Sequence, residues 1–336
     1  PFDGQGICMD LKSGYPYWAV KNGLMQAFPQ LEEDRRCDVA IIGGGPAGLT
    51  AAIYLARFHL NITVIDAGQS RALWIPTTHN HAGFPDGISG EDLLERMRAQ
   101  AIKYGTKIVQ GRVGSISNND VGFALEYGHG AVDAATVILA TGVVNRRPAI
   151  SEDLHARALA EGKIRYCPVC DGYEVTDKNV AIIGTGDRGI AEAAFLRGYT
   201  KTITLVAPDI NHNLDEAARA KADEYGIACI DGPATIEEIV GDQILMKAGS
   251  ARLSFDSIYP ALGSDVNNLL AQMAGVECDD SGSVIVDSHQ RTSIEGIYAA
   301  GDVVQGLDQI SHAMGEGGVA AVTVRNDLAA KRPLLR

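Results

Sequence analysis

The residues of this sequence best suited to chemistry are the pair in Cys167-Pro168-Val169-Cys170. Two thiols at this spacing can close a short-loop disulfide and lower each other's pKa, which suits dithiol–disulfide exchange. Asp171 follows directly and is placed to donate or accept a proton during exchange. Two readings compete with this one: half of a zinc site, or inert thiols. Structural zinc takes four ligands, and no second Cys-x-x-Cys or His-x-x-x-His follows, so His79 and His81 would have to be recruited from another domain. Redox chemistry is the expectation, with no metal.

The next chemistry belongs to glycine loops. Gly43-Gly44-Gly45-Pro46-Ala47-Gly48 spells G-x-G-x-x-G between the apolar run Val39-Ala40-Ile41-Ile42 and a helical pattern from Pro46 to Phe58. Such a backbone turns tightly and brings a pyrophosphate to the helix N-terminal amides. The strand Ile62-Thr63-Val64-Ile65 ends at Asp66, placed to accept hydrogen bonds from a ribose. A tight turn without ligand is the plainer alternative. Gly184-Thr185-Gly186-Asp187-Arg188-Gly189 repeats the pattern after Val180-Ala181-Ile182-Ile183. There Arg188 can clamp a diphosphate, but Asp187 sets an anion inside the loop. A 2′-phosphate needs nearby Arg or Lys, and none stands between Lys201 and Arg219; Ala207 sits where NAD would want an acid. Gly184, Gly186, Arg188 and Gly189 thus form a second nucleotide site at which NADPH is disfavoured and an empty or structural loop stays open.

The elements that must position these residues follow from the same patterns. Two βαβ units about 140 residues apart imply duplication of one dinucleotide-binding architecture in an α/β fold. Ser89-Gly90-Glu91-Asp92 resembles a capping box and leads into a helix with Leu93, Leu94, Met97, Ala101 and Ile102 on one face. Short strands are expected over 107–139, before Ala140-Thr141-Gly142. Ser257 to Gly263 reads as a strand-to-turn exit, and Ile297 to Asp302 as a short strand stopping at an acid. A final helix is expected from about Gly315 to Lys331. His312 reads as a surface or capping histidine, with a proton relay near a cofactor as the alternative, and His155 and His212 carry no signal. Residues 1–36 read as an extension packed on the surface as an arm, with Trp18 and its neighbouring tyrosines as the alternative cover for a cofactor or partner.

Composition bounds these readings. The 336 residues have room for roughly two domains, and 29 Lys+Arg against 42 Asp+Glu give a formal charge of −13, which disfavours nucleic acid. Hydrophobic residues at 46% and charged ones at 21% fit a globular chain with a sizeable core. No apolar run is long enough for a membrane helix. Asp3, Asp10 and Lys12 interrupt any secretory pattern, so a cytoplasmic address is expected. Cys8, Cys37, Cys229 and Cys278 are scattered and read as small buried hydrophobes.

Two glycine loops, a Cys-x-x-Cys-Asp-Gly before the second and a late Gly-Asp occur together in one family. From about Cys37 to Lys331 the chain resembles the low-molecular-weight thioredoxin reductases, the class II pyridine nucleotide-disulfide oxidoreductases. The matching residues are Gly43, Gly45, Pro46, Ala47, Gly48 and Asp66 for FAD, then Ala140, Thr141 and Gly142, Cys167 to Gly172, Gly184 to Gly189, and Gly301 and Asp302 for the ribityl chain. Asn80-His81-Ala82-Gly83-Phe84-Pro85 resembles the family's flavin-side loop, and Gln309 is carried over from its Arg-Gln motif, which here reads Asp308-Gln309.

The resemblance implies two Rossmann-like three-layer nucleotide-binding domains, the second inserted into the first: FAD-binding over 37–148 and 264–336, and the redox-pair domain over 149–263. It implies that FAD reduces the Cys167–Cys170 disulfide, that Cys170 faces the flavin and Cys167 the partner, and that Asp171 is the acid/base. It also implies that the inserted domain swings, and that the protein is a homodimer acting on thioredoxin or a thioredoxin-like protein. NADPH-using members carry a His-Arg-Arg cluster where Ala207-Pro208-Asp209 stands. The chain is therefore similar to divergent branches with a degraded NADPH site, some fed by ferredoxin and some acting as dithiol oxidases toward oxygen. The second loop could hold another dinucleotide, including a second FAD, or none. The expected function is an FAD-dependent disulfide reductase whose donor is other than NADPH. The alternatives are a dithiol oxidase or a non-enzymatic flavin-binding redox sensor.

Overall fold

Val39–Ile42 reads as an unbroken apolar run because its strand is central to a parallel sheet covered on both faces. The computed structural model describes residues 36–128 and 130–335. The extension up to residue 35, with Cys8 and Trp18, lies outside the described residues.

The chain begins with β1 (Arg36–Ile42), helix α1 (Pro46–Arg57) and β2 (Ile62–Asp66), followed by a 3-10 turn at Arg71–Trp74. Helix α2 (Gly90–Lys103) and β3 (Lys107–Gln110) lead to β4 (Val113–Asn118), β5 (Phe123–Tyr127) and β6 (Gly130–Leu139). After β7 (Val143–Asn145) and α3 (Glu152–Ala160), the short helix α4 (Pro168–Asp171) carries the cysteine pair. Then come β8 (Asn179–Ile183), α5 (Gly186–Leu196), β9 (Thr202–Val206), α6 (Glu216–Glu224) and β10 (Ala228–Ile230). A meander of β11 (Ala234–Val240), β12 (Gln243–Ala248) and β13 (Ala251–Phe255) precedes β14 (Ser257–Pro260). The chain finishes with β15 (Ser264–Val266), α7 (Leu269–Met273), β16 (Ile297–Ala299) and α8 (Ile310–Lys331).

Two Rossmann-like sheets result. The first has the order β3-β2-β1-β6-β5-β4, with β16 parallel beside β6; the second is β10-β9-β8-β14, all parallel. The chain leaves the first sheet after β6, builds the whole second sheet, and returns to the first with β16. At the crossing, β7 and β15 pair antiparallel, so both passages run through one ribbon.

Alternation along each strand sends side chains to two cores. In the first sheet Val39, Ile41 and Val64 meet α1, α2 and α8, while Ala40, Ile42 and Leu139 meet β5, α7 and the stretch before α8. In the second, Val180, Ile182 and Leu205 pack on α5 and α6, while Ala181, Ile183 and Val206 pack on the meander and α3. This is three-layer packing in each half.

Three local expectations need correction. Helix α8 starts at Ile310, five residues before Gly315. Its glycines weaken a helix in isolation, but Gly317 lies where the α1 backbone comes closest, and a Cβ there would overlap the Ala47 carbonyl oxygen. Ser89 does cap α2, accepting from Asp92 N at 3.0 Å, and Leu93, Leu94, Met97 and Ala101 are buried, but Ile102 falls past the edge of that face and is 55% exposed. Cys37 is buried in β1, its thiol pushed up to about 11 by burial, whereas Cys229 is exposed on the edge strand β10 and Cys278 is half-buried. Among the described residues no helix is long and apolar enough to cross a membrane.

The α1–α8 contact generates a test. Gly317→Ala should force the two helices apart and cost about 1–3 kcal/mol of stability, as overpacking does. Urea unfolding followed by circular dichroism measures it, and an unchanged midpoint would contradict the packing argument.

Candidate functional site

The first glycine loop is shaped by what its neighbours leave no room for. Gly43 has φ of +115°, and a Cβ on it would overlap the Ala140 carbonyl oxygen; one on Gly44 would overlap the Asp66 carboxylate. Gly45 is the N-cap of α1 and offers no side-chain cap, so the helix's first amides stay open to a ligand anion. The loop forms one wall of a cavity of about 680 Å³. Gly43, Gly45, Pro46, Ala47, Asp66, Asn80, Ala140, Thr141, Gly142, Gly301, Asp302 and Gln309 all line it, together with Cys167, Cys170 and Asp171. Gly48 stands one step behind, where its missing Cβ lets α1 seat on the Gly43 carbonyl. This cradle, with an uncapped helix terminus facing a large cavity, fits a dinucleotide such as FAD.

Cys167 and Cys170 form a disulfide, with Cα atoms 5.2 Å apart. Cys167 is the N-cap of α4, its sulfur accepting from Cys170 N at 3.2 Å, and Pro168 supplies the preset φ of the first helical position. The side chain of Gln309, at the N-cap of α8, crosses from the first half of the fold and sets Nε2 3.2 Å from both sulfurs. Its carbonyl oxygen accepts from Asn80 Nδ2 at 3.0 Å, and Asn80 Oδ1 accepts from Thr78 Oγ1 at 2.9 Å. Nε2 is equidistant from the two sulfurs, so this hydrogen bond does not single out either cysteine, while Oε1 lies 3.6 Å from the Cys170 sulfur alone.

Asp171 closes α4. Tyr259 on β14 donates to Asp171 Oδ1 at 2.8 Å, and Arg165 Nη1 donates to Oδ2 at 3.1 Å. Burial pushes this carboxyl above its usual range, although Arg165 and Tyr259 pull the other way.

Asp66 accepts from Gly68 N at 2.9 Å and from Arg98 at 2.8 Å. Asp302 is raised by burial and pairs with Arg71 at 3.3 Å; Arg71 also reaches Asp308 at 3.0 Å and Asn145 Oδ1 at 3.3 Å. Sequence reasoning missed Arg71, since no motif links positions so far apart. It also missed Glu316, whose Oε2 accepts from Gly301 N at 2.7 Å and whose other oxygen pairs with His312 at 3.1 Å. Their spacing, His312 and Glu316 four apart on a helix, was the available signal.

His155 was missed as well. It is buried, bonds Tyr166 Oη through Nε2 at 2.8 Å, and meets the ring of Trp74 at 5.3 Å. Burial and the neighbouring Arg147 hold its pKa below the usual value. This cluster adjoins Cys167 through Tyr166. Among the described residues, no group of three or more His, Cys, Asp and Glu is arranged to hold a metal ion.

The second glycine loop lies apart from this cavity. Gly184 and Gly189 allow close packing: a Cβ on Gly184 would meet Ala261 Cβ at 2.9 Å, and one on Gly189 would lie 3.0 Å from the Gly184 carbonyl carbon. Gly186 takes φ of +60°, and Thr185 Oγ1 accepts from Asn213 N at 2.7 Å, tying the following loop across it. The Arg188 guanidinium lies beside Gly263 and next to Glu192, whose carboxyl burial pushes up to about 7. Asp187 sits in the first turn of α5. Ala207, at the tip of β9, is fully buried, its amide donating to Ile230 O at 3.0 Å and its carbonyl accepting from Ala234 N at 3.0 Å.

Comparison with known proteins agrees with this geometry. The pattern of the pyridine nucleotide-disulphide oxidoreductase family matches residues 37–317. A thioredoxin reductase of Treponema pallidum is 32% identical, over 84% of this chain and 94% of its own. The crystal structure of a thioredoxin reductase from Streptococcus pyogenes superposes with a TM-score of 0.80 at 28% identity, covering 89% of this chain and 100% of that one. That of Lactococcus lactis thioredoxin reductase in its FR conformation covers 88% and 99% at 27% identity, but with a TM-score of 0.57. The chain belongs to the pyridine nucleotide-disulphide oxidoreductase family and, within it, is a thioredoxin reductase-like flavoprotein oxidoreductase acting on sulfur groups.

Proposed function

We propose that this chain passes electrons from FAD to the Cys167–Cys170 disulfide and on to a thioredoxin-like disulfide, and that its donor is other than NADPH. The observation that carries the reading is that the disulfide opens onto the cavity built by the Gly43–Gly48 loop and is held there by Gln309. The FAD-binding unit would be 37–148 with 264–336, and the unit bearing the redox pair 149–263. Gly43 to Gly48 would take the pyrophosphate, Asp66 the ribose, and Gly301 and Asp302 the ribityl chain, while Asn80, Gln309 and Ala140 to Gly142 flank the ring system.

FAD held there supplies a two-electron store. The chain's own residues do the rest. Gln309 fixes the disulfide at the cavity, and uptake of two electrons breaks the S–S bond into two thiolates. At neutral pH at least one thiolate takes a proton, since an ordinary thiol has a pKa near 8.5, and Asp171 is the adjacent proton source. Cys167 would then attack the partner disulfide, which requires the disulfide-bearing unit to turn outward. Relatives covered to nearly the same extent superpose at 0.80 in one case and 0.57 in another, as expected when two units keep their folds and change mutual orientation.

The donor reading rests on the second loop. A 2′-phosphate there would find the buried backbone of Ala207 and the carboxylates of Asp187 and Asp209 in place of cations. A ferredoxin-type protein is the donor class proposed, and the second loop is read as empty or as holding a different dinucleotide. Tyr54 on α1 and Val319 and Val322 on α8 are exposed apolar side chains on adjoining helices, in keeping with a homodimer.

Anaerobic mixing tests the donor: NADPH should bleach the flavin slowly or not at all, and full bleaching within the mixing time would overturn this part. Cys170→Ser should keep FAD bound, seen as an unchanged visible spectrum, yet lower electron delivery to a thioredoxin by at least about a hundredfold. Normal delivery by that variant would contradict the mechanism.

A further inference from the structure

Asp171 makes more specific contacts than a surface carboxylate beside a thiol pair needs. Tyr259 is fully buried on β14, and its hydroxyl donates to Asp171 Oδ1 at 2.8 Å and to the Asp171 backbone oxygen at 3.1 Å. Arg165 approaches from the other side, with Nη1 3.1 Å from Oδ2. Its guanidinium occupies space left by Gly162, where a Cβ would come within 2.6 Å of Nη2. The Arg165 Nε atom is buried without a partner, as is Oε2 of Glu174, the nearby acid that acts on Asp171 through its charge. Among the described residues, Arg165, Tyr259 and Glu174 are the charged and titratable groups that act on Asp171, beside the cysteine pair itself.

We propose that the Tyr259 hydroxyl and the Arg165 guanidinium are positioning groups that hold the Asp171 carboxyl in one orientation and fix its charge state for proton exchange with the cysteine pair. The inference rests on the proposed oxidoreductase reading and deepens it. In the outgoing half-reaction, the Cys167 thiolate attacks a partner disulfide, forming a mixed disulfide and releasing one thiolate. The Asp171 carboxylate removes the Cys170 proton. Cys170 then attacks the Cys167 sulfur, closing the internal disulfide and releasing the second thiolate, which takes the proton from Asp171. Two electrons pass from the dithiol to the partner, the Cys170 proton ends on the second released thiol, and the first released thiolate takes its proton from solvent.

Both donors stabilise the ionised carboxylate, while burial opposes it. Burial also drives the Tyr259 phenol upward, so it stays a proton donor throughout the working range. The exchange rate, which needs ionised Asp171, falls as pH drops through the Asp171 pKa. Removing one donor raises that pKa, so the fall should begin at higher pH.

The test uses FAD-loaded protein reduced by dithiothreitol, with its exchange rate against a small aromatic disulfide followed across pH. Tyr259→Phe should move the acid limb upward by about half a unit to one unit, the scale of one hydrogen bond to a charged group. Arg165→Lys, which keeps the charge but loses the fork, should move it the same way by less than Arg165→Gln. In an Asp171→Asn background the limb set by Asp171 should be gone, leaving only the fall set by protonation of the Cys167 thiolate, and Tyr259→Phe should move nothing. A Tyr259→Phe protein with lower rates but an unmoved limb would overturn the proposal, as would the same shift in the Asp171→Asn background. Reduced wild-type protein that exchanges with no disulfide would instead defeat the oxidoreductase reading itself.

Discussion

The arrangement of the site turns on a contact across the fold: the Gln309 amide, carried at the start of α8, against both sulfurs of α4. The cavity is built from one stretch of chain and the disulfide from another, and the two are useful only where they meet. Each neighbouring feature serves that meeting. Asn80 orients the amide by donating to its oxygen, and Arg71 ties the turn at 71–74 to Asp302 and Asp308 just ahead of α8. The tight α1–α8 packing, made possible by Gly317, sets where α8 begins relative to the glycine loop.

The sequence made the backbone of this arrangement legible and left its side-chain wiring hidden. Strands β1 and β8 were readable because burial on both faces produces continuous apolar runs, and β2 and β9 because each follows a glycine loop and helix at βαβ spacing. The glycine loop was readable because steric demands at Gly43 and Gly48 exclude other residues. The start of α8 was misplaced because its glycines answer to a tertiary contact with Ala47, which local propensity does not contain. The wiring was hidden for a related reason. Asp171 could be named from its place beside Cys170, but Tyr259 stands 88 residues away and Arg71 meets Asp308 across 237, so only the fold brings them together.

Charge is distributed with the same economy. The second glycine loop keeps the turn geometry of the first but is crossed by its own chain at Asn213 and faced by acids. In the first, the acids are compensated by arginines: Asp66 by Arg98 and Asp302 by Arg71. The two halves thus share the loop backbone while the charges around it differ.

The ribbon of β7 and β15 has a further consequence. Since the two covalent connections between the halves run side by side as hydrogen-bonded strands, any turn of one half against the other has to twist this ribbon. In the proposed outward turn the disulfide would leave its cavity but stay tethered to it by two paired strands. Its local concentration there is accordingly set by that tether and independent of how dilute the protein is.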